Sequence, residues 1–107
     1  MKFTDFLNEA LSTAHGKVEM ALRELGLKYE VDEENTKKVF WLQNDYYVES
    51  FNSGKVALGK IKVKGSIDSF TTFDFNKIRE LTVKMVEPHV KEITAGSKAI
   101  NKQKETA

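Results

Sequence analysis

Two stretches of helical hydrophobic periodicity enclose a central stretch without it, and this arrangement constrains the fold more than any other feature of the chain. From Thr4 onward Phe6, Leu7, Ala10, Leu11, Ala14, Val18, Ala21, Leu22 and Leu25 recur at steps of three and four, the stripe of an amphipathic helix. Thr4 can cap its start, and Gly26 stands where a left-handed residue would end it. Gly16 weakens the middle of the run by about 1 kcal/mol relative to alanine. Ser12 or Thr13 can cap a separate start, so a break is expected near residues 12–16. At the other end Phe75, Ile78, Leu81, Met85, Val86, Val90 and Ile93 form a second stripe, opening near Asp74 and stopping at Gly96. Pro88 interrupts that stripe, because proline lacks the N–H for the intrahelical bond and clashes with the preceding turn.

Between the helices lie four β-prone stretches, Leu27–Asp32, Lys37–Gln43, Tyr46–Phe51 and Lys55–Lys64, separated by polar turns short enough for antiparallel hairpins. Val56 and Leu58 share one parity, while Ile61 and Val63 share the other. A bulge at Gly59 would hold all four on the core side. Residues 65–73 read as an ordered loop pinned to the core by Ile67, Phe70 and Phe73. The expected fold is therefore α+β: a three- or four-stranded antiparallel meander with the N- and C-terminal helices packed on one face. Residues 1–96 make one domain, and 97–107 form a basic tail with too little apolar surface to hold it down.

The 107 residues are 40% hydrophobic and 31% charged, in keeping with a single modest core. The net charge of +1 is far from that of a polyanion-coating protein. Its distribution is uneven: residues 1–51 carry 6 basic and 10 acidic side chains, and residues 52–107 carry 11 and 6. The absence of cysteine excludes disulfides, thiolate zinc sites and cysteine nucleophiles. No apolar run is long enough to cross a bilayer, so no membrane partner is expected.

Groups that titrate, attack or bind metal are sparse. His15 and His89 have no second histidine at ligand spacing, and neither joins a nucleophile–base–orienter set by spacing. The acidic run Asp32-Glu33-Glu34 lacks the spaced ligands and turn glycine of a calcium loop and reads as a solvated turn. No metal, no cofactor and no catalytic residue is expected. Lys60, Lys62 and Lys64 alternate with Ile61 and Val63, with Lys55 at the start of the same stretch, so one strand face would present a cationic ridge. Such a ridge protects an edge strand from aggregation. With Trp41, Tyr46 and Tyr47 on neighbouring strands it would alternatively offer charge and stacking surface to nucleic acid. The helix–strands–helix order resembles that of the double-stranded-RNA-binding domain, but its phosphate-gripping lysine cluster is missing, since Asp74–Arg79 holds only Lys77 and Arg79. A homo-oligomeric structural component, associating through a strand edge or a spare helix face, is a further alternative.

The opening Met1-Lys2-Phe3-Thr4-Asp5-Phe6-Leu7-Asn8-Glu9-Ala10 resembles the capsid-targeting peptide of the internal head proteins of T-even-like bacteriophages. In that family a short amphipathic leader directs the protein into the prohead, and the maturation protease cuts after glutamate in the pattern Leu or Ile, any residue, Glu. Leu7-Asn8-Glu9 fits the pattern, with cleavage before Ala10. The resemblance covers about a tenth of the chain. It implies a small packaged phage protein, located in the virion interior and then in the host cytoplasm. Such a protein would accompany phage DNA and act by binding and inhibiting a host protein or enzyme complex, without catalysis. Processing demands that residues 1–9 be accessible to a protease in extended form, because a residue locked in a core resists cleavage until it opens locally.

Overall fold

The computed structural model describes residues 13–97 and 99–100. Leu7, Glu9, Ala10 and the rest of the proposed leader lie outside the described residues, as do Lys98 and residues 101–107 of the basic tail.

Helix α1, Ala14–Glu24, begins where Thr13 in extended conformation turns its hydroxyl back to accept the Gly16 N–H at 2.9 Å. This is the capping role expected of Ser12 or Thr13. At its other end Gly26, with φ of +72°, allows two reversed bonds: Gly26 N–H donates to the Arg23 carbonyl and Leu27 N–H to the Leu22 carbonyl, both at 3.0 Å. A side chain bearing Cβ is disfavoured at that left-handed position, which is why the helix stops there.

Five antiparallel strands follow in sequential order: β1 Glu30–Glu33, β2 Lys37–Trp41, β3 Tyr46–Phe51, β4 Lys55–Lys60 and β5 Asp68–Thr71. The meander has the expected order with one strand more than predicted. Asn44 and Asp45 both take positive φ, 55° and 67°, and close the β2–β3 hairpin, a conformation asparagine and aspartate tolerate well. After a short 3₁₀ turn, Phe75–Lys77, come helix α2 (Ile78–Val86), a second such turn containing Pro88 (Glu87–His89), and helix α3 (Val90–Ile93). The interruption expected at Pro88 is thus one tight turn, after which the helical path resumes.

Both long helices cover the same side of the sheet. Val18 and Leu22 of α1 and Ile78, Met85 and Val86 of α2 pack on Phe40, Tyr46, Val48, Val56 and Leu58, which alternate along β2, β3 and β4 as strand geometry requires. We call this side the helix face. The opposite face, which no helix of the described residues covers, carries Val39 and Trp41 of β2, Tyr47, Glu49 and Phe51 of β3, and Ala57 and Gly59 of β4.

Three expectations near the end of the meander need correction. β4 stops at Lys60 instead of Lys64, because Lys62 adopts a φ of +72° and turns the chain. There is no bulge at Gly59: register with β3 is continuous from Ser50↔Val56 to Tyr46↔Lys60. Ile61 and Val63 are therefore not carried onto the core face, and Val63 is 48% exposed. The loop expected over 65–73 contains β5, and Phe73, expected to be buried, is 94% exposed. Of the three anchors predicted there, Phe70 packs against the core.

Candidate functional site

The four lysines expected to form one ridge are divided by the turn after β4. Lys55 opens β4 on the face opposite the described helices, its ammonium 5.5 Å from the Phe51 ring centroid. Lys60 lies on the helix face, where it meets Glu92 at 3.2 Å and sits 5.0 Å over the Tyr46 ring. Lys62 and Lys64 belong to the exposed turn between β4 and β5. A row of alternate lysines needs a strand running through all of them, and here it ends at the first of the three.

The aromatic residues divide in the same way. Tyr46 is buried on the helix face, while Trp41 and Tyr47 lie side by side on the opposite face with ring centroids 5.3 Å apart. Trp41 is only 8% exposed, and its indole N–H donates to Asp32 Oδ2 at 2.7 Å. That bond occupies its one polar group and binds one carboxylate of the acidic run. The Tyr47 ring lies against Gly59, where a Cβ would come within 2.4 Å of it. Below it on β3, Glu49 accepts from the Lys37 ammonium at 2.6 Å, and Lys37 is also 5.7 Å from the Phe51 centroid. This face therefore brings together Lys37, Lys55, Tyr47 and Phe51, a smaller and more neutralised version of the surface expected from sequence. Its largest ring, that of Trp41, is buried and leaves little surface for stacking.

A second cluster ties the β2–β3 turn to the end of the helical segment. The Tyr46 hydroxyl and the Lys60 ammonium both donate to the Glu92 carboxylate, and the Asn44 amide donates to the Glu92 carbonyl at 2.8 Å. Burial, helped by the bond to Glu92, pushes the Tyr46 phenol up to about 12. The hydrogen bonds from Tyr46 and Lys60 hold the Glu92 carboxyl below its ordinary value. His89 packs its ring 6.3 Å from that of Tyr46, where a histidine at a helix boundary was expected. Gln43 forms an isolated antiparallel bridge with Ile100 beside this cluster. The arrangement fastens secondary structure together.

The third cluster was not foreseen. His15 in the first turn of α1 bonds through Nδ1 to Ser50 Oγ at 2.7 Å and through Nε2 to Asn52 Oδ1 at 2.6 Å. Asn52 uses its amide NH₂ toward the Asn35 carbonyl, so its Oδ1 can only accept. In the neutral tautomer that this bond favours, the proton is on Nε2 and the Ser50 hydroxyl donates to Nδ1. Hydroxyl, imidazole and amide stand in the order of a nucleophile, its base and an orienting group. Ser50, however, is completely buried at 0% exposure, so a substrate has no approach to its oxygen. The chain of bonds joins α1 to β3. Nothing in local spacing signals it, since His15 and Ser50 are 35 positions apart and meet only once helix and sheet have packed.

Among the described residues, no three histidine, aspartate or glutamate side chains converge to hold a metal ion. Nor is any helix among them long and apolar enough to cross a membrane. Comparison with protein-family models, with curated proteins and with solved structures finds no match to this chain.

Proposed function

We propose that this chain is a small bacteriophage accessory protein, packaged in the head with the DNA, that acts after delivery by binding a host macromolecule and not by catalysis. Residues 1–9 serve as the targeting leader and are removed between Glu9 and Ala10.

The observation that carries this reading is the start of α1. Thr13 supplies the cap of that helix from its own side chain, and it stands downstream of Glu9. A cut before Ala10 removes neither the cap nor any residue of the described core, whose first member is Ala14. A protein meant to lose its first nine residues and keep its fold needs such an independent helical start. The binding part of the proposal is supported by the three side-chain clusters. Each joins elements of the fold to one another, and none offers an accessible nucleophile and base together.

The test is the intact mass of the protein recovered from purified particles of the phage that carries this sequence. A chain beginning at Ala10 is expected. A full-length chain inside the particle, or its absence from particles, would overturn the proposal.

A further inference from the structure

The two edges of the sheet differ in a way that the sequential strand order alone does not require. At the β1 edge, Glu34 N–H donates to the Lys37 carbonyl, so the even-numbered residues turn their backbone toward β2 and Val31 and Glu33 turn theirs outward. Two copies of β1 pairing about a two-fold axis at Asp32 would set Asp32 against Asp32 and Glu30 against Glu34. Like charges directly opposed across strands are destabilising, so this edge resists self-association.

The β5 edge has no such protection. Thr72 N–H donates to the Gly54 carbonyl at 3.1 Å, which places the backbone groups of Phe70 toward β4 and those of Ser69 and Thr71 toward the open side. From Ser69 to Phe73 the sequence Ser-Phe-Thr-Thr-Phe carries no charge. The Ser69 N–H is held by the neighbouring Asp68 carboxylate at 2.8 Å, an exposed bond that a pairing strand would replace. Just past the strand stands Phe73, 94% exposed and the most exposed large apolar side chain among the described residues. It is held there by an ordered turn: the Asp74 N–H donates to Thr72 Oγ1 at 3.0 Å and the Asn76 N–H to Asp74 Oδ1 at 3.1 Å.

We infer that β5 is a docking edge for a second copy of this chain, which pairs with it antiparallel about a two-fold axis beside Phe70. In this register Ser69 faces Thr71 of the second copy, both with outward backbone groups, so the two strands exchange ladder bonds at two equivalent places. Phe73 of each copy then comes over Ile67 of the other, covering the two exposed apolar side chains that flank the strand. Asp68 faces Thr72, so no like charges oppose one another within the paired strands. The same register thus pairs the backbone, covers the apolar surface and opposes no like charges. Five strands in each copy join into one ten-stranded sheet, a closed two-fold assembly. The strand is four residues long, so the interface falls below the ~1,000 Å² of a stable complex and the dimer is of the weak class.

Sedimentation equilibrium of the full chain, from about 10 µM to about 1 mM, tests this directly, since weak pairing shows only toward the upper limit. The weight-average mass is expected to rise from 12.2 kDa toward twice that value. Phe73→Ser removes a side chain with almost no contacts in the monomer, so its unfolding transition stays where it is while the dimer dissociation constant rises at least ~10-fold. Thr71→Pro, which deletes an outward N–H on the strand edge, is expected to have the same effect, and Val31→Ser at the opposite edge none. A monomeric mass throughout would overturn the inference and leave this edge to a foreign strand. Dimerisation unchanged by both Phe73→Ser and Thr71→Pro would overturn it equally.

Discussion

The Lys60 ammonium lies 3.2 Å from the Glu92 carboxylate, so the last residue of β4 holds the helical turn that follows Pro88. Tyr46 donates to the same carboxylate, and both donors favour its ionised form. The Glu92 carboxyl is therefore held below the value it has in the unfolded chain, and the stabilisation it supplies is complete above that unfolded value. It is lost as pH falls through the folded one. Thermal melts between pH 7 and pH 3 are expected to show this acid-side loss, and Glu92→Gln is expected to reduce its slope. An identical pH dependence in the two proteins would contradict the role given to Glu92.

Two phenols give the opposite signature. Burial raises Tyr29 and Tyr46 to about 12, in each case aided by a hydrogen bond to a carboxylate, Glu19 for the first and Glu92 for the second. The folded state holds these protons more tightly than the unfolded state does. Their contribution is thus present below the ordinary tyrosine value near 10 and disappears as pH rises toward 12. Alkaline titration followed by tyrosinate absorbance should show both phenols ionising together with loss of structure, and Tyr46→Phe should remove one of them from the late step. Ionisation of both near pH 10 with the fold intact would refute this.

Gly59 shows how far the chain's organisation was readable beforehand. Its position between residues of opposite parity suggests a bulge, but its observed purpose is to admit the Tyr47 ring, whose Cζ stands 2.4 Å from where a Cβ would be. Gly59→Ala is expected to cost about 1–3 kcal/mol, the usual range for overpacking. In a Tyr47→Ser background most of that cost should vanish, because the clash has been removed. Urea unfolding of the four proteins gives the coupling, and additive effects would show that the ring is not what excludes a side chain.

Helix boundaries and hairpins were legible because local chemistry decides them. Thr13 caps, Gly26 ends a helix through its left-handed conformation, Asn44-Asp45 accept positive φ, and Pro88 interrupts wherever it stands. The path after Lys60 was not legible, because alternation of Lys60, Ile61, Lys62, Val63 and Lys64 fits a strand equally well until Lys62 turns the chain. β5 escaped notice for a related reason: Asp68-Ser69-Phe70-Thr71 has the composition of a loop, and pairing with the hydrophobic β4 draws it into the sheet. The lysine ridge failed with the strand that was to carry it. His15 could not be assigned from sequence, because its partners are supplied by β3 and the residue just after it.

Thr82 is fully buried on α2, and its hydroxyl has no hydrogen-bond partner. A buried polar group left unmatched carries its desolvation penalty without return, and valine has nearly the same shape without the penalty. Thr82→Val is expected to stabilise the fold by about 1 kcal/mol, measured as a higher urea midpoint at unchanged slope. A lower midpoint would mean that the hydroxyl is satisfied in solution.

The His15 bonds make an asymmetric prediction. Truncating His15 to alanine takes the imidazole partner from the Ser50 hydroxyl, which belongs to a residue 0% exposed in the intact protein, and also frees Asn52 Oδ1, which water can reach. The loss is expected to be about 2 kcal/mol, most of it from the stranded hydroxyl. Ser50→Ala removes the buried polar atom itself and leaves Nδ1 on a half-buried ring that solvent can approach, so its cost should be smaller. The double variant should then resemble His15→Ala less its Ser50 penalty, being no less stable than the histidine variant alone. Chemical denaturation of the three variants decides the matter. A Ser50→Ala loss larger than that of His15→Ala would mean that the hydroxyl contributes something beyond its bond to the helix.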